Sequence, residues 1–146
     1  ARVARVKRAS EKGSSVCWGN WGQGSFYGPT VLDGVVASMD IAHDFEGFGP
    51  VFPIITFDDF DEAMALANDT KYGLGSCIFT RDLSLGLKAA LRFEAGPVVI
   101  NGQSLYRNLL TPYGAHKDSG LGREGQTQTL LAMTQTKNIV FKNILK

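Results

Sequence analysis

Residues 46–57, Glu46-Gly47-Phe48-Gly49-Pro50-Val51-Phe52-Pro53-Ile54-Ile55-Thr56-Phe57, join a constrained turn to an apolar run. Glycine in the turn admits positive φ and close approach, while Pro50 pins φ near about −65° and withholds an N–H. A carboxylate, Glu46, and an aromatic ring, Phe48, are thereby held in a set relation at the mouth of a strand. Without further context the same turn also reads as a solvated acid beside a core phenylalanine. Val51 to Phe57 suits a buried strand, and Asp58 and Asp59 behind it can cap a helix and complement its dipole.

The pattern beyond the turn is regular. Phe60, Ala63, Met64 and Ala67 fall on one helix face, with Asn68 and Gly73 bracketing its end. Leu74 to Thr80 reads as a second strand. Asp82 can cap a second helix in which Leu83, Leu87, Ala90 and Leu91 form the buried stripe and Gly86 is a weak point. Pro97 to Asn101 supplies a third short strand, with proline at its tolerated first position. Strand, helix, strand, helix, strand with short connections predicts an α/β fold: a three-layer-type parallel sheet of three strands with right-handed crossover helices packed on it. Functional residues in such sheets collect at the carboxyl ends of strands. Asn101 lies at one such end, so the long glycine-dotted loop from Gly102 to Gly125 is the second place to look, although a structural surface loop fits it as well.

Composition narrows the function classes. The chain has 146 residues, 44% of them hydrophobic, enough to bury a core as one domain. A net charge of +1 gives no basis for nucleic acid or a membrane surface. No apolar run approaches the roughly 20 residues needed to span a bilayer. Cys17 and Cys77 show no metal-ligand spacing and make no disulfide framework, which suits a reducing compartment, so the expected location is cytoplasmic. Arg2, Arg5 and Arg8 alternate with Val3 and Val6 in a basic, amphipathic helix expected to end near Gly13, its Arg face solvated. This looks like the remaining helix of a longer polypeptide. Gly19 to Gly24 reads as a surface loop without chemistry, and Phe26 to Val36 as a strand entered through Gly28-Pro29 and interrupted at Asp33-Gly34. His43 lies close to Glu46 but has no second partner in the sequence, so no acid–base pair is assigned to it.

Gly120-Leu121-Gly122-Arg123-Glu124-Gly125 fits the Gly-x-Gly-x-x-Gly dinucleotide fingerprint, yet it lacks both the preceding strand and the acid about 20 positions on, and the reading is rejected. Gly122 to Gly125 instead opens a helix running to about Met133, with Glu124 in its first turn. Thr136 to Leu145 alternates and reads as a strand.

The turn Glu46 to Val51 resembles a signature of the NAD(P)-dependent aldehyde dehydrogenase superfamily, and further matches follow in the family's order. Upstream lies Tyr27-Gly28-Pro29-Thr30-Val31. Downstream come Ala67-Asn68-Asp69-Thr70-Lys71-Tyr72-Gly73-Leu74, Phe79-Thr80-Arg81-Asp82, Glu94-Ala95-Gly96, Val99-Ile100-Asn101, Pro112-Tyr113-Gly114, Lys117-Asp118-Ser119-Gly120-Leu121-Gly122-Arg123-Glu124 and Thr136-Lys137. The ordered set covers nearly the whole chain and matches the C-terminal third or so of such an enzyme. The resemblance implies residues 1–133 as the C-terminal portion of a catalytic domain, with a short strand at Ser14 to Trp18, and residues 134–146 as an oligomerisation strand.

It also implies NAD or NADP as cofactor and a small-molecule aldehyde as substrate. Glu46 would accept hydrogen bonds from the nicotinamide ribose and Phe48 would pack on the nicotinamide. Tyr113 would line the aldehyde tunnel, with Tyr106 and Arg107 in the part that varies with substrate; Arg107 suits a carboxylate or phosphate group, and a solvated arginine is the ordinary alternative. The family takes its nucleophilic cysteine, base glutamate, oxyanion asparagine and nucleotide fold from motifs that do not occur here, so no catalytic residue is assigned. The isolated chain is expected to be inactive, with the remaining part of the enzyme and a second subunit as partners. Gly47, Phe45 and Ala115 depart from the family pattern. A non-catalytic association or binding module is the alternative.

Overall fold

The computed structural model describes residues 2–42 and 46–143. Readings made of His43 and Phe45, and of the chain end at 144–146, lie outside these residues. Helix α1, Arg2–Glu11, stops before Gly13, whose φ of 107° is the left-handed geometry that ends helices. Its apolar positions one turn apart, Val6 and Ala9, are fully buried. The Arg face is not simply solvated, as the sequence suggested. Arg8 donates to one Asp40 carboxylate oxygen from Nη2 at 2.8 Å and Nε at 3.1 Å, and Arg5 Nη1 reaches the Asp40 carbonyl at 3.3 Å.

Strand β1, Ser15–Trp18, runs antiparallel to β4, Thr30–Asp33, and β5, Val51–Pro53, pairs with the other edge of β4 in parallel. The predicted loop between β1 and β4 contains a hairpin, β2 Gly22–Gln23 with β3 Phe26–Tyr27, turned at Gly24. The central position of β4 explains its burial: Thr30 and Leu32 are 0% exposed. The buried Thr30 hydroxyl is satisfied, donating to Gly28 O and accepting from Asn20 N–H. Leu32, Val6, Ala9, Val35 and Met39 make one core, with Val16, Val51 and Ile55 packed against it.

The remaining elements are α2 Phe60–Asn68, β6 Tyr72–Gly73, β7 Ser76–Ile78, α3 Leu83–Arg92, β8 Val98–Ile100, β9 His116–Lys117 and α4 Gln126–Ala132. Both predicted caps form. Asp59 accepts from Glu62 N–H at 2.8 Å, and Asp82 accepts from Ser84 and Leu85 N–H at 2.8 and 3.1 Å. Strands β7 and β8 are parallel and joined through α3, as the alternation predicted, while β6 and β9 pair antiparallel.

Three expectations are corrected. The α/β class stands, but β5 does not join β7 and β8 in one three-stranded parallel sheet. It bonds β4 instead, where Thr30 N–H reaches Pro50 O and Ile54 N–H reaches Leu32 O, both at 2.8 Å. The strand is also short, ending at Pro53, whose missing N–H lies on the edge that faces away from β4. On α3 the buried residues are Gly86 and Ala89, whereas Leu83, Leu87 and Leu91 are 67%, 53% and 89% exposed. A Cβ on Gly86 would stand 3.2 Å from Ile100 and 3.3 Å from Thr80. The helix therefore meets its sheet through its smallest residues. Glu124 precedes α4 instead of sitting in its first turn, and Gly125 is the cap, at a φ of 135°. Residues 136–143 pair with no strand among the described residues.

Candidate functional site

The turn 46–50 is anchored at its Pro50 end. Thr30 N–H donates to Pro50 O and Val51 N–H donates to Gly49 O, each at 2.8 Å, which anchors the turn to β4 and β5. Sequence reasoning placed the unusual backbone on glycine. The structure places it on Phe48, whose φ is 35°, while a Cβ on Gly47 would meet nothing within 4 Å. A non-glycine residue held in such a region costs about 1 kcal/mol or more. Burial does not compensate, because the Phe48 ring is 81% exposed. Glu46 is exposed on the same turn. Phe48, Gly47 and Gly49 line a cleft of about 200 Å³ together with Val51, Ile41 and Arg5. Arg5 was not foreseen at this site. Its position there follows from the Asp40 contact, which draws α1 against the segment leading into the turn.

The loop after β8 begins with a clamp. Asn101 adopts a φ of 58°, its side chain donates to Thr80 O at 2.9 Å, and it accepts from Thr80 N–H at 2.8 Å. The carboxyl ends of β7 and β8 are thereby locked together. Further along, Tyr113 and Glu124 exchange both backbone hydrogen bonds, at 2.8 and 2.6 Å. Arg107 Nη2 donates to Glu124 Oε2 at 2.8 Å, and its guanidinium lies 4.1 Å from the centre of the Tyr113 ring. Tyr106 stays 60% exposed, with its N–H bonded to Gln103 O. The structure thus brings Tyr113 and Arg107 together and adds Glu124, a residue the sequence reading assigned to a helix.

Several motif residues have structural work. Lys117 Nζ donates to Asn68 O at 2.7 Å and Thr70 O at 3.0 Å, and pairs with Glu94 at 2.7 Å. Asn68 in turn donates to Arg92 O and accepts from Glu94 N–H. Gly96 is irreplaceable on steric grounds, since a Cβ there would fall 1.7 Å from Gly114 O. Ala115, which departs from the family pattern, is buried and its carbonyl accepts from Arg123.

The cleft beside the turn shares no lining residue with those beside the loop, so the two regions open separately. Cys17 on β1 and Cys77 within β7 are free thiols, and neither lines these clefts. Among the described residues no cluster of His, Cys, Asp or Glu could hold a metal ion, and no helix is long and apolar enough to cross a membrane. The turn presents an exposed carboxylate, an acceptor suited to a pair of hydroxyls, and an exposed aromatic ring that borders a cleft.

Comparison with known proteins places this geometry. The model of the aldehyde dehydrogenase family matches residues 2–139. A lactaldehyde dehydrogenase of Methanococcus maripaludis is 38% identical over 95% of the chain, which spans 30% of that relative's length. The crystal structure of glyceraldehyde-3-phosphate dehydrogenase GapN from Methanocaldococcus jannaschii, complexed with NADP, superposes with a TM-score of 0.83 at 38% identity, over 90% of this chain and 28% of that one. An NAD-dependent aldehyde dehydrogenase from Sinorhizobium meliloti gives a TM-score of 0.84 at 35% identity, over 93% and 27% of the two chains. With a strained aromatic turn, an ordered loop after a parallel pair and a family model matched almost end to end, the chain belongs to the aldehyde dehydrogenase family.

Proposed function

We propose that this chain supplies the cofactor-facing turn and the aldehyde-facing loop of an NAD- or NADP-dependent aldehyde dehydrogenase, which oxidises an aldehyde to the acid through a thioester. Glu46 accepts hydrogen bonds from the ribose hydroxyls, and the Phe48 ring packs on the nicotinamide. Tyr113, Tyr106 and Arg107 border the path of the aldehyde. The nicotinamide, when bound, accepts the hydride. The part played by Glu46 and Phe48 is positional, and a misplacement of about 1 Å at a reacting centre costs on the order of a hundredfold in rate. Since neither Cys17 nor Cys77 borders the clefts at the turn or the loop, the nucleophilic thiol comes from another part of the enzyme, together with the base and the nucleotide-binding fold. Residues 1–133 belong to the catalytic domain, and 134–146 extend to a second subunit. Two free thiols suit a cytoplasmic setting.

The observation that carries this reading is Phe48, an aromatic side chain that is exposed and held at a positive φ. Folding alone favours neither condition, whereas a flat ligand resting on the ring makes use of both. The test joins this chain to the remaining part of the Methanococcus maripaludis lactaldehyde dehydrogenase. The joined protein is expected to reduce NAD or NADP when given an aldehyde. A correctly folded product that binds neither cofactor nor aldehyde rejects the proposal.

A further inference from the structure

The sequence offered Arg107 as a receptor for an anionic group on the substrate, but the guanidinium already has a carboxylate. We propose that Glu124 is an internal carboxylate occupying Arg107, so that Arg107 acts as a positioning residue for Tyr113 and this loop selects aldehydes that carry no anionic group there. The proposal rests on the reading that the loop faces the aldehyde. Its geometric basis is a closed set of three residues. Arg107 Nη2 meets Glu124 Oε2 at 2.8 Å, and the guanidinium carbon lies over the Tyr113 ring, 4.1 Å from its centre. Tyr113 and Glu124 are held to each other by two backbone hydrogen bonds. One planar group therefore bridges the side chains of two backbone-paired residues. Arginine does this because its edge donates while its face stacks, and a lysine cannot do both.

An exposed ion pair is weak, worth about 1 kcal/mol or less. What matters here is competition. A tethered carboxylate acts at an effective concentration of roughly millimolar or above, and an aldehyde-borne carboxylate must displace it from solution. The surroundings agree. In the cleft of about 910 Å³ beside the pair, Arg107 and Glu124 are the charged lining residues and neutralise each other, while Leu109, Leu130 and Met133 supply apolar wall. A neutral, partly apolar body meets no unpaired charge there.

The test uses the whole chain with ring-labelled tyrosine and labelled arginine in solution NMR, the Tyr113 signals being assigned with Tyr113→Phe. Arg107→Gln is expected to shift the Tyr113 ring resonances and leave those of Tyr27 and Tyr72 in place, with Arg107→Lys failing to restore them. Sodium succinate, added at constant ionic strength, is expected to give no saturable shift of the Arg107 side chain in the native protein. In Glu124→Gln a saturable shift of the Arg107 side chain is expected to appear, with binding at least about fivefold tighter than in the native protein, the worth of one exposed pair. Saturable succinate binding to the native protein that Arg107→Gln abolishes and Glu124→Gln does not strengthen overturns the proposal. So do unmoved Tyr113 resonances in Arg107→Gln, which decide the matter if Glu124→Gln does not fold. None of these readouts involves aldehyde turnover, so their failure is distinct from failure of the enzyme reading.

Discussion

The region up to residue 55 and the region from residue 58 onward are held together by different means. In the first, α1 and the sheet of β1, β4 and β5 enclose an aliphatic core in which Val6, Leu32, Val35 and Met39 are each 3% exposed or less. In the second, the buried apolar residues among those described are Met64, Ala89 and Ala115, while Leu83, Leu87 and Leu91 of α3 and both leucines of α4 face outward. Side-chain hydrogen bonds take over there: the caps of Asp59 and Asp82, the Asn101 clamp across β7 and β8, and the knot of Asn68, Glu94 and Lys117. Burial of a large aliphatic side chain contributes about 2 kcal/mol, against about 1 kcal/mol net for a hydrogen bond. The first region should therefore be the more stable of the two. The open leucines of the second form the kind of apolar surface that meets further protein, and this chain spans 30% of the lactaldehyde dehydrogenase it matches.

Substitution can break that contrast. Leu32→Ala removes a fully buried side chain from the central strand and is expected to lower stability by about 3 kcal/mol in urea unfolding. The same change at Leu87, 53% exposed, should cost less than about 0.5 kcal/mol. Equal losses at the two positions would erase the distinction between the regions. Asn101→Ala removes two hydrogen bonds and places alanine at a φ of 58°, so a loss of about 1 to 2 kcal/mol is expected. Hydrogen exchange should show that opening confined to β7 and β8, with β4 still protected.

The smallest effect concerns pH. The Arg92 guanidinium, by hydrogen bonding to Asp61 and then by its charge, holds that carboxyl below its ordinary value, with Lys88 adding to the effect and burial opposing it. A carboxyl whose folded-state value is depressed adds stability above the ordinary carboxylate range and loses it as pH falls through the folded value. Both side chains are well exposed, so the contribution is slight. Asp61→Asn is expected to flatten the acid limb of the stability profile while leaving stability near neutral pH almost unchanged.

Local features were legible in the sequence and distant ones were not. Asp59 and Asp82 act within three residues of themselves, so their capping could be read directly, as could the turn at Gly34, with its φ of 66°. The partner of β5 could not be read, because a parallel strand pairs with whichever edge the fold makes available, and here β4 offers one. Periodicity correctly marked Leu83, Leu87 and Leu91 as one face of α3. The usual rule that large apolar residues face the core then pointed the wrong way, since the side packed closely on Ile100 and Thr80 carries Gly86 and Ala89. In the loop after β8, the sequence singled out Tyr113 and Arg107 separately. Their union through Glu124, 17 residues from Arg107, was not, because no spacing rule connects them. Asn68, Glu94 and Lys117 were visible as parts of family motifs, yet only the coordinates show that they tie α2, α3 and β9 together.

The role of the turn is tested most directly by the turnover number of the joined enzyme at saturating cofactor and aldehyde. Replacing Glu46 by Gln, and separately Phe48 by Ala, should lower kcat about ten- to a hundredfold through misplacement of the nicotinamide. The Phe48→Ala protein should fold as well as its parent, because the ring is 81% exposed. An undiminished kcat in both variants would contradict the account.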